Sequence, residues 1–386
     1  MQVNRAFYIP YHNRNNSQYM QKGVIFIHVL FIYSSELVIY NAVKKINLLS
    51  KEGKMYTSIY ADETPLFIEQ LVNTTEIRRL CDVGMHCGVE YANFPIYQQQ
   101  KIPYSRLTHS VGVSKIVWNF THDIRQAISG LLHDIATPVF AHTIDFLYGD
   151  HLMQESTEDK TLFFIENSKE ITKILKEYNI CVKEIADYHI YPIADNDTPM
   201  LSADRLEYTI GNGFCVYHMN MNHLNSIYAD LIVAQNENGI DELCFQSIHK
   251  AKQFTEISLR NSYLFVSDED RFSMQFLADI IGFAMKIGVL TQDDLYLTET
   301  QVIRKLYNDK ELSDMWKMYT GISSIATSTK KLENKYCVNV SAKKRFIDPL
   351  VLIKSNARRL SDIDDGIKEL IQTFLSLDFS KWIYTV

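Results

Sequence analysis

Residues 104–145 constrain this chain more than any other stretch. They read YSRLTHSVGVSKIVWNF and, after a short gap, AISGLLHDIATPVFAHTID. Most positions are apolar, in runs that suit buried helices. The stretch nevertheless carries His109, the adjacent His133 and Asp134, then His142 and Asp145. Taking imidazoles and carboxylates out of water is costly unless they pair, hydrogen-bond or bind a metal ion. A fold that buries this stretch must therefore bring partners to its polar groups.

The remaining composition suits a helical globular chain. In 386 residues there are 14 glycines and 8 prolines against 20 phenylalanines and 23 tyrosines, which favours helices over tight turns. A net charge of -7 gives no signal for nucleic-acid binding, which needs a dense positive surface. Cys81, Cys87, Cys181, Cys215, Cys244 and Cys337 form no CxxC pair, so neither a disulfide framework nor a zinc knuckle is expected, and a cytoplasmic location follows. The apolar run VIFIHVLFIY, from position 24, falls short of the roughly 20 residues needed to cross a bilayer, so no membrane span is expected.

Periodicity sketches the order of elements. Residues 1–54 are an N-terminal extension, with a polar arm before the apolar run. From Pro65 a helical stripe runs through Leu66, Ile68, Leu71, Val72, Ile77 and Leu80. Ser105 or Thr108 opens the next helix, and another ends at His133 and Asp134 ahead of the helix-breaking Pro138. His142 and Asp145, three apart, share a face of a following helix. LFFIENSKEITKILKEY reads as one helix, SADRLEYTIGNGF as another, and residues 224–266 as helices of mixed charge. FSMQFLADIIGFAMKIGVL is a strong amphipathic helix. KYCVNVSA and KKRFIDPLVLI have the texture of strands, and SDIDDGIKELIQTFLSL closes the chain as a helix. The expected organisation is the extension 1–54, a helical core 55–310 and a small α/β appendage 311–386.

As residue types, His109, His133, Asp134 and Asp204 fit two arrangements. They can be hydrogen-bonded polar groups in a core. They can also converge from three helices as a mixed nitrogen and oxygen site, leaving an open position for water on a divalent ion.

The ordered strings SRLTHSVGV, LLHDIATPVFAHTID and SADRLEY resemble the HD-domain metal-dependent phosphohydrolases. Within that superfamily they are most similar to the deoxynucleoside triphosphate triphosphohydrolase branch, over roughly residues 58 to 310. The resemblance implies a mostly α-helical HD-domain bundle. It implies His109, His133, Asp134 and Asp204 as ligands of a divalent ion (Mn, Fe, Mg, Ni or Zn). Arg106 matches a phosphate-binding arginine, and Arg205 and Tyr208 match contacts to phosphate and sugar. His142 and Asp145 fall where the family places groups that manage a proton beside the attacking water. The implied activity is hydrolysis of a nucleotide or another phosphate ester by a metal-activated water, in a homo-oligomer.

The chain departs from the family at three places. Where triphosphohydrolases read HDxGHGPFSHxxD, this chain has Ala136-Thr137-Pro138-Val139, so Thr137 replaces a pocket histidine. Gln154 stands where a further histidine is expected, and Asn212 where an aspartate is expected. None of the three can titrate in its partner's place. A nucleotide-binding or regulatory module with little turnover is therefore the second function class. A cyclic-nucleotide or (p)ppGpp hydrolase of the same superfamily is a third reading that differs only in substrate. His86, His122, His151, His189, His218, His223 and His249 match no motif and are read as incidental.

Overall fold

Two short helices, α1 (Leu66–Val72) and α2 (Thr75–Arg79), come early in the described part of the chain. The computed structural model describes residues 56–61, 63–100, 102–152 and 160–386. The extension 1–54, Gln154 and the acidic run 155–159 lie outside the described residues. The chain divides into two units, Met1–Lys44 and Lys45–Val386, and everything described here belongs to the second.

After α3 (Pro95–Gln98) comes the central helix, α4 (Arg106–Thr121). Ser105 caps it by accepting from the Thr108 amide, and every residue from Arg106 to Val117 is buried. A helix buried on all sides needs neighbours on all sides. It packs against α5 (Ile124–Leu132), which Asp123 caps, and against the later helix Ala203–Cys215. A Cβ on Gly130 would come within 3.2 Å of Val113, so the bare glycine lets α4 and α5 approach closely. α6 (Thr143–Tyr148) follows an irregular turn.

The segment expected as one helix after residue 160 is two, α7 (Thr161–Asn167) and α8 (Lys169–Glu177). Ser168 breaks the run and caps the second by accepting from the Ile171 amide. Next come α9 (Ala203–Cys215), capped by Ser202, and α10 (Met221–Tyr228).

Residues 224–266 are not helical throughout. β1 (Leu231–Gln235) and β2 (Asp241–Phe245) pair antiparallel as a hairpin. The Asn236 side chain accepts from the amides of Asn238 and Ile240, and Gly239 has φ +73. That turn chemistry overrides the helical texture of the flanks. α11 (Ile248–Phe265), α12 (Asp268–Lys286), α13 (Glu299–Asn308) and α14 (Lys310–Thr320) complete the helical body.

The C-terminal part is α/β, as expected. β3 (Ile325–Ser328), β4 (Cys337–Val338) and β7 (Trp382–Thr385) form a small sheet in the order β3-β7-β4. β5 (Leu350–Ile353) and β6 (Asn356–Arg359) continue the first hairpin into a four-stranded sheet, β1-β2-β5-β6, with β2 and β5 parallel. Only the end of KKRFIDPLVLI is a strand, and residues 341–349 carry no regular structure. α15 (Asp365–Leu375) lies between β6 and β7. Two apolar cores result. One surrounds α4, α5, α9 and the larger sheet, and the other surrounds α6, α12, α13 and α14. Among the described residues, no helix is long and apolar enough to cross a membrane.

Candidate metal centre

Three helices deliver the polar groups of the central stretch to one point. His109 lies one turn into α4 and is fully buried. His133 is the C-cap of α5, with Asp134 directly after it. Asp204 lies in the first turn of α9, where the helix dipole favours a carboxylate. His109 Nε2, His133 Nε2 and an Asp204 carboxylate oxygen lie within 4.8 Å of one another. Asp204 Oδ1 is 2.9 Å from His109 Nε2 and 3.7 Å from His133 Nε2. Asp134 Oδ2 is 3.5 Å from His133 Nε2 and 4.0 Å from His109 Nε2.

Hydrogen bonds behind the imidazoles orient them. His133 Nδ1 donates to the Gly130 carbonyl at 2.7 Å, so Nε2 presents its lone pair inward. His109 Nδ1 lies 2.5 Å from Oε2 of Glu207, a fully buried carboxylate that periodicity did not single out. Glu207 sits three residues after Asp204 on α9, hence on the same helix face. Tyr56 donates to its Oε1 and Tyr104 to its Oε2, each at 2.5 Å, and Tyr60 adds a contact at 3.4 Å. Burial, then the Glu207 charge, pushes the Tyr56 and Tyr60 phenols well up, so both stay protonated.

Among the described residues, the buried His109 Nε2 makes no well-aligned hydrogen bond, although Asp204 Oδ1 lies 2.9 Å away. With Nδ1 donating to Glu207, Nε2 turns a lone pair toward a carboxylate oxygen. Only a proton or a cation between them relieves that repulsion. Ligands at about 2.0–2.2 Å from an ion stand roughly 3–4 Å apart, which is close to the 2.9–4.0 Å between each carboxylate and the two imidazoles, although only His109, His133 and Asp204 all lie within 4.8 Å of one another. The donor set therefore fits a divalent ion. Without one, a proton does the work. Burial alone would lower His109, but Glu207 and Asp204 hold it at about 10.

Asp134 does double duty. Arg106 Nη1 donates to both its oxygens at 3.1 and 3.0 Å, and the Thr137 hydroxyl donates to Oδ1 at 2.7 Å. Burial would raise its carboxyl, yet Arg106, then His133 and His109, hold it far below the usual range. Asp204 is likewise held low against burial, first by His109. The turn after Asp134 is braced by Arg79, whose Nη2 donates to the carbonyls of Ile135 and Thr137 at 2.9 and 2.8 Å. Phe140 and Ala141 follow at φ 58 and 42, a left-handed pair that is strained for residues bearing a Cβ.

The centre forms part of the wall of a cavity of about 720 Å³. His142 faces this cavity, and its Nδ1 donates to Asp145 Oδ2 at 2.8 Å, while Asp145 itself is fully buried behind it. Burial lowers the His142 pKa; Asp145 opposes that, and Arg345 and Arg106 push further down. Arg205 lines the cavity with Nη1 donating to Asn196 and to the Met200 carbonyl. Tyr208 lines it too, its phenol pushed up to about 12 by burial. Asn212 Oδ1 lies 3.0 Å from His86 Nε2. His86, His151 and His189, which match no motif, all line the cavity. So do Lys343 and Arg345 from the C-terminal part, which no local pattern could have assigned to it.

No family model matches the chain. It is 23% identical over 308 residues to the uncharacterized protein YdhJ of Bacillus subtilis, covering 78% of this chain and 89% of that protein. It is 22% identical over 176 residues to the metal-dependent phosphohydrolase cns2 of Cordyceps militaris, covering 45% of this chain and 48% of cns2. The match thus spans about half the length of cns2. Two solved structures share the fold. A hypothetical protein from Aquifex aeolicus aligns with a TM-score of 0.57 at 17% identity, over 83% of this chain and 92% of that one. A phosphohydrolase from Bacteroides thetaiotaomicron aligns with a TM-score of 0.57 at 15% identity, over 82% and 95%.

Proposed function

We propose that this chain is a metal-dependent phosphohydrolase of the HD type, acting on a nucleotide and most similar in substrate to the deoxynucleoside triphosphate triphosphohydrolases. The observation that carries the reading is the buried Nε2 of His109, without a well-aligned hydrogen bond among the described residues and turned with His133 Nε2 toward two carboxylates at a cavity wall. The names of the Cordyceps and Bacteroides proteins support the same reaction class.

His109, His133, Asp134 and Asp204 would hold the ion. When bound, a divalent ion lowers the pKa of water and offsets charge on phosphoryl oxygens. Arg106 binds the phosphoryl group with the guanidinium donors that Asp134 leaves over. Among the described residues, its Nε has no hydrogen-bond partner. Arg205 holds the loop carrying Asn196 and adds positive charge to the same cavity. Tyr208 lies against the sugar. His142, neutral near pH 7, has its Nδ1 proton committed to Asp145. Its Nε2 is therefore free to take a proton and return it to the leaving group. The resemblance also implies a homo-oligomer, which sedimentation would establish.

The second reading, a nucleotide-binding module with little turnover, draws on Thr137 and Asn212. Thr137 spends its hydroxyl on Asp134, and Asn212 pairs with His86, so neither moves a proton. Metal analysis of the purified protein, with a metal-supplemented assay of a nucleotide panel read for triphosphate, pyrophosphate and phosphate, separates the two. Turnover lost in His133→Ala and Asp134→Ala together with bound metal supports the enzyme. Turnover that survives without metal refutes it.

A further inference from the structure

The four-stranded sheet has two outer strands, β1 and β6, and they are built differently. Proteins protect an open strand edge with charge, proline, a bulge or brevity, because unpaired amides and carbonyls invite a further strand. β6 carries the exposed Arg358 beside Arg359. In the small sheet β4 has two residues, and β3 has four and runs on to Lys330 and Lys331. β1 (LIVAQ) has five residues with no charge, proline or glycine, and it pairs with β2 without a bulge.

The hairpin register fixes which backbone groups are open. At its two ends the Gln246 amide donates to the Asp230 carbonyl and the Asn236 amide to the Ile240 carbonyl, both at 2.9 Å. Backbone groups alternate along an antiparallel strand, so Asp230, Ile232, Ala234 and Asn236 turn theirs to β2. Leu231, Val233 and Gln235 turn theirs outward. Among the described residues, no strand lies on that side and no backbone hydrogen bond reaches those groups. Leu231 is buried and Val233 packs on the core, so the strand is held in place while its edge stays open.

That edge is complementary to itself. The outward residues are the first, third and fifth of the strand, symmetric about Val233. A two-fold axis there sets Val233 against the partner's Val233 and Leu231 against the partner's Gln235. All outward groups of both strands are then used, in roughly six hydrogen bonds, and every other antiparallel register leaves some over. The same register sets Asp230 against the partner's Asn236, so no acid meets an acid. Both flanking acids are already engaged within the chain. Asp230 accepts from the Ser247 amide and hydroxyl at 2.9 and 3.0 Å, and Glu237 from Arg359 at 2.9 Å.

We propose that β1 is a dimerisation edge, on which a second copy of this chain pairs antiparallel about Val233 and doubles the four-stranded sheet. The proposal is independent of the phosphohydrolase reading, since neither the ion nor the cavity enters it.

The test is sedimentation velocity on the full chain over a range of concentrations, with substitutions at the axis. The unsubstituted chain should reach a dimer or a multiple of one. Val233→Pro removes only an outward N–H, which an edge strand tolerates, and takes a hydrogen bond from each copy. It should raise the dissociation constant by about tenfold or more. Val233→Cys is a milder change and reads the register directly. Opposed Cα atoms at such a position stand roughly 5.5 Å apart, within the span of a disulfide. Mild oxidation should therefore link two copies through position 233, identified by the mass of the joined peptide, while Gln235→Cys stays unlinked. Should Val233→Pro fail to fold, the two cysteine variants decide alone. A chain that stays monomeric overturns the proposal, whether β1 is then bare, covered by residues 1–54 or kept for a different protein. So does an oligomer that Val233→Pro leaves as stable as before, or one in which Val233→Cys stays unlinked or links no more readily than Gln235→Cys.

Discussion

His109 shows how one side chain couples charge, burial and binding. Its Nδ1 is tied to Glu207, and its Nε2 faces Asp204. An ion must displace the proton held there at a pKa of about 10. Mn2+ affinity should therefore rise by about tenfold per pH unit toward pH 10 if His109 is the only proton competitor. Titrations at pH 6.5, 7.5 and 8.5 read this slope, and a flat response counts against His109 as a ligand. In the ion-free protein the raised pKa has a fixed sign. Stability from His109 is fully present below its ordinary 6.5 and is lost as pH rises through about 10. Melting in chelator should accordingly fall between those limits, and His109→Gln should remove that part of the fall. Glu207→Gln replaces the acceptor behind His109 and should weaken metal binding by about 10–100-fold, the range for partners of ligating imidazoles. His142 gives a separate signature. Its pKa is lowered by burial, so the acid limb of the pH–rate profile should lie below 6.5. A limb unchanged in His142→Ala would assign the limb to another group.

At the level of elements, the centre depends on how closely helices approach. α4 and α9 cross where Gly112 lies against Glu207. A Cβ there would stand 2.5 Å from Glu207 Cγ and 2.6 Å from its Oε1. On α9, a Cβ on Gly211 would strike the hydroxyls of Tyr104 and Tyr56. Two glycines thus leave room for the carboxylate and phenols behind His109. Gly112→Ala should cost about 1–3 kcal/mol by overpacking, measured by urea denaturation, and should weaken Mn2+ binding as Glu207 shifts. Stability and Mn2+ affinity both unchanged would mean that Glu207 can move without consequence.

Across the whole molecule, the C-terminal part braces the helical core. Arg359 on β6 donates to both oxygens of the fully buried Glu242 on β2, at 2.7 and 2.8 Å. Glu242 Oε1 also accepts from the Leu201 amide, just before the Ser202 cap of α9 that carries Asp204. Arg359→Met leaves Glu242 without its charge partner and should destabilise the chain by about 3 kcal/mol, seen as a lower urea midpoint. An unshifted midpoint would rule out that bracing. The sequence by itself determined the helix-rich class, the start of α4 to within one turn, the end of α5, and the residue types at the centre, because periodicity, caps and Pro138 act within a few residues. It missed the β1–β2 hairpin, where side chains of one turn outweighed the helical texture around it. Tertiary structure alone decided that Glu207 stands behind His109, that His86 faces the cavity, and that Lys343 and Arg345 reach it. Those placements depend on which helices pack together and on where a stretch near the far end of the chain lies. Local spacing holds no information about such contacts, since they are fixed only when distant apolar faces bury one another.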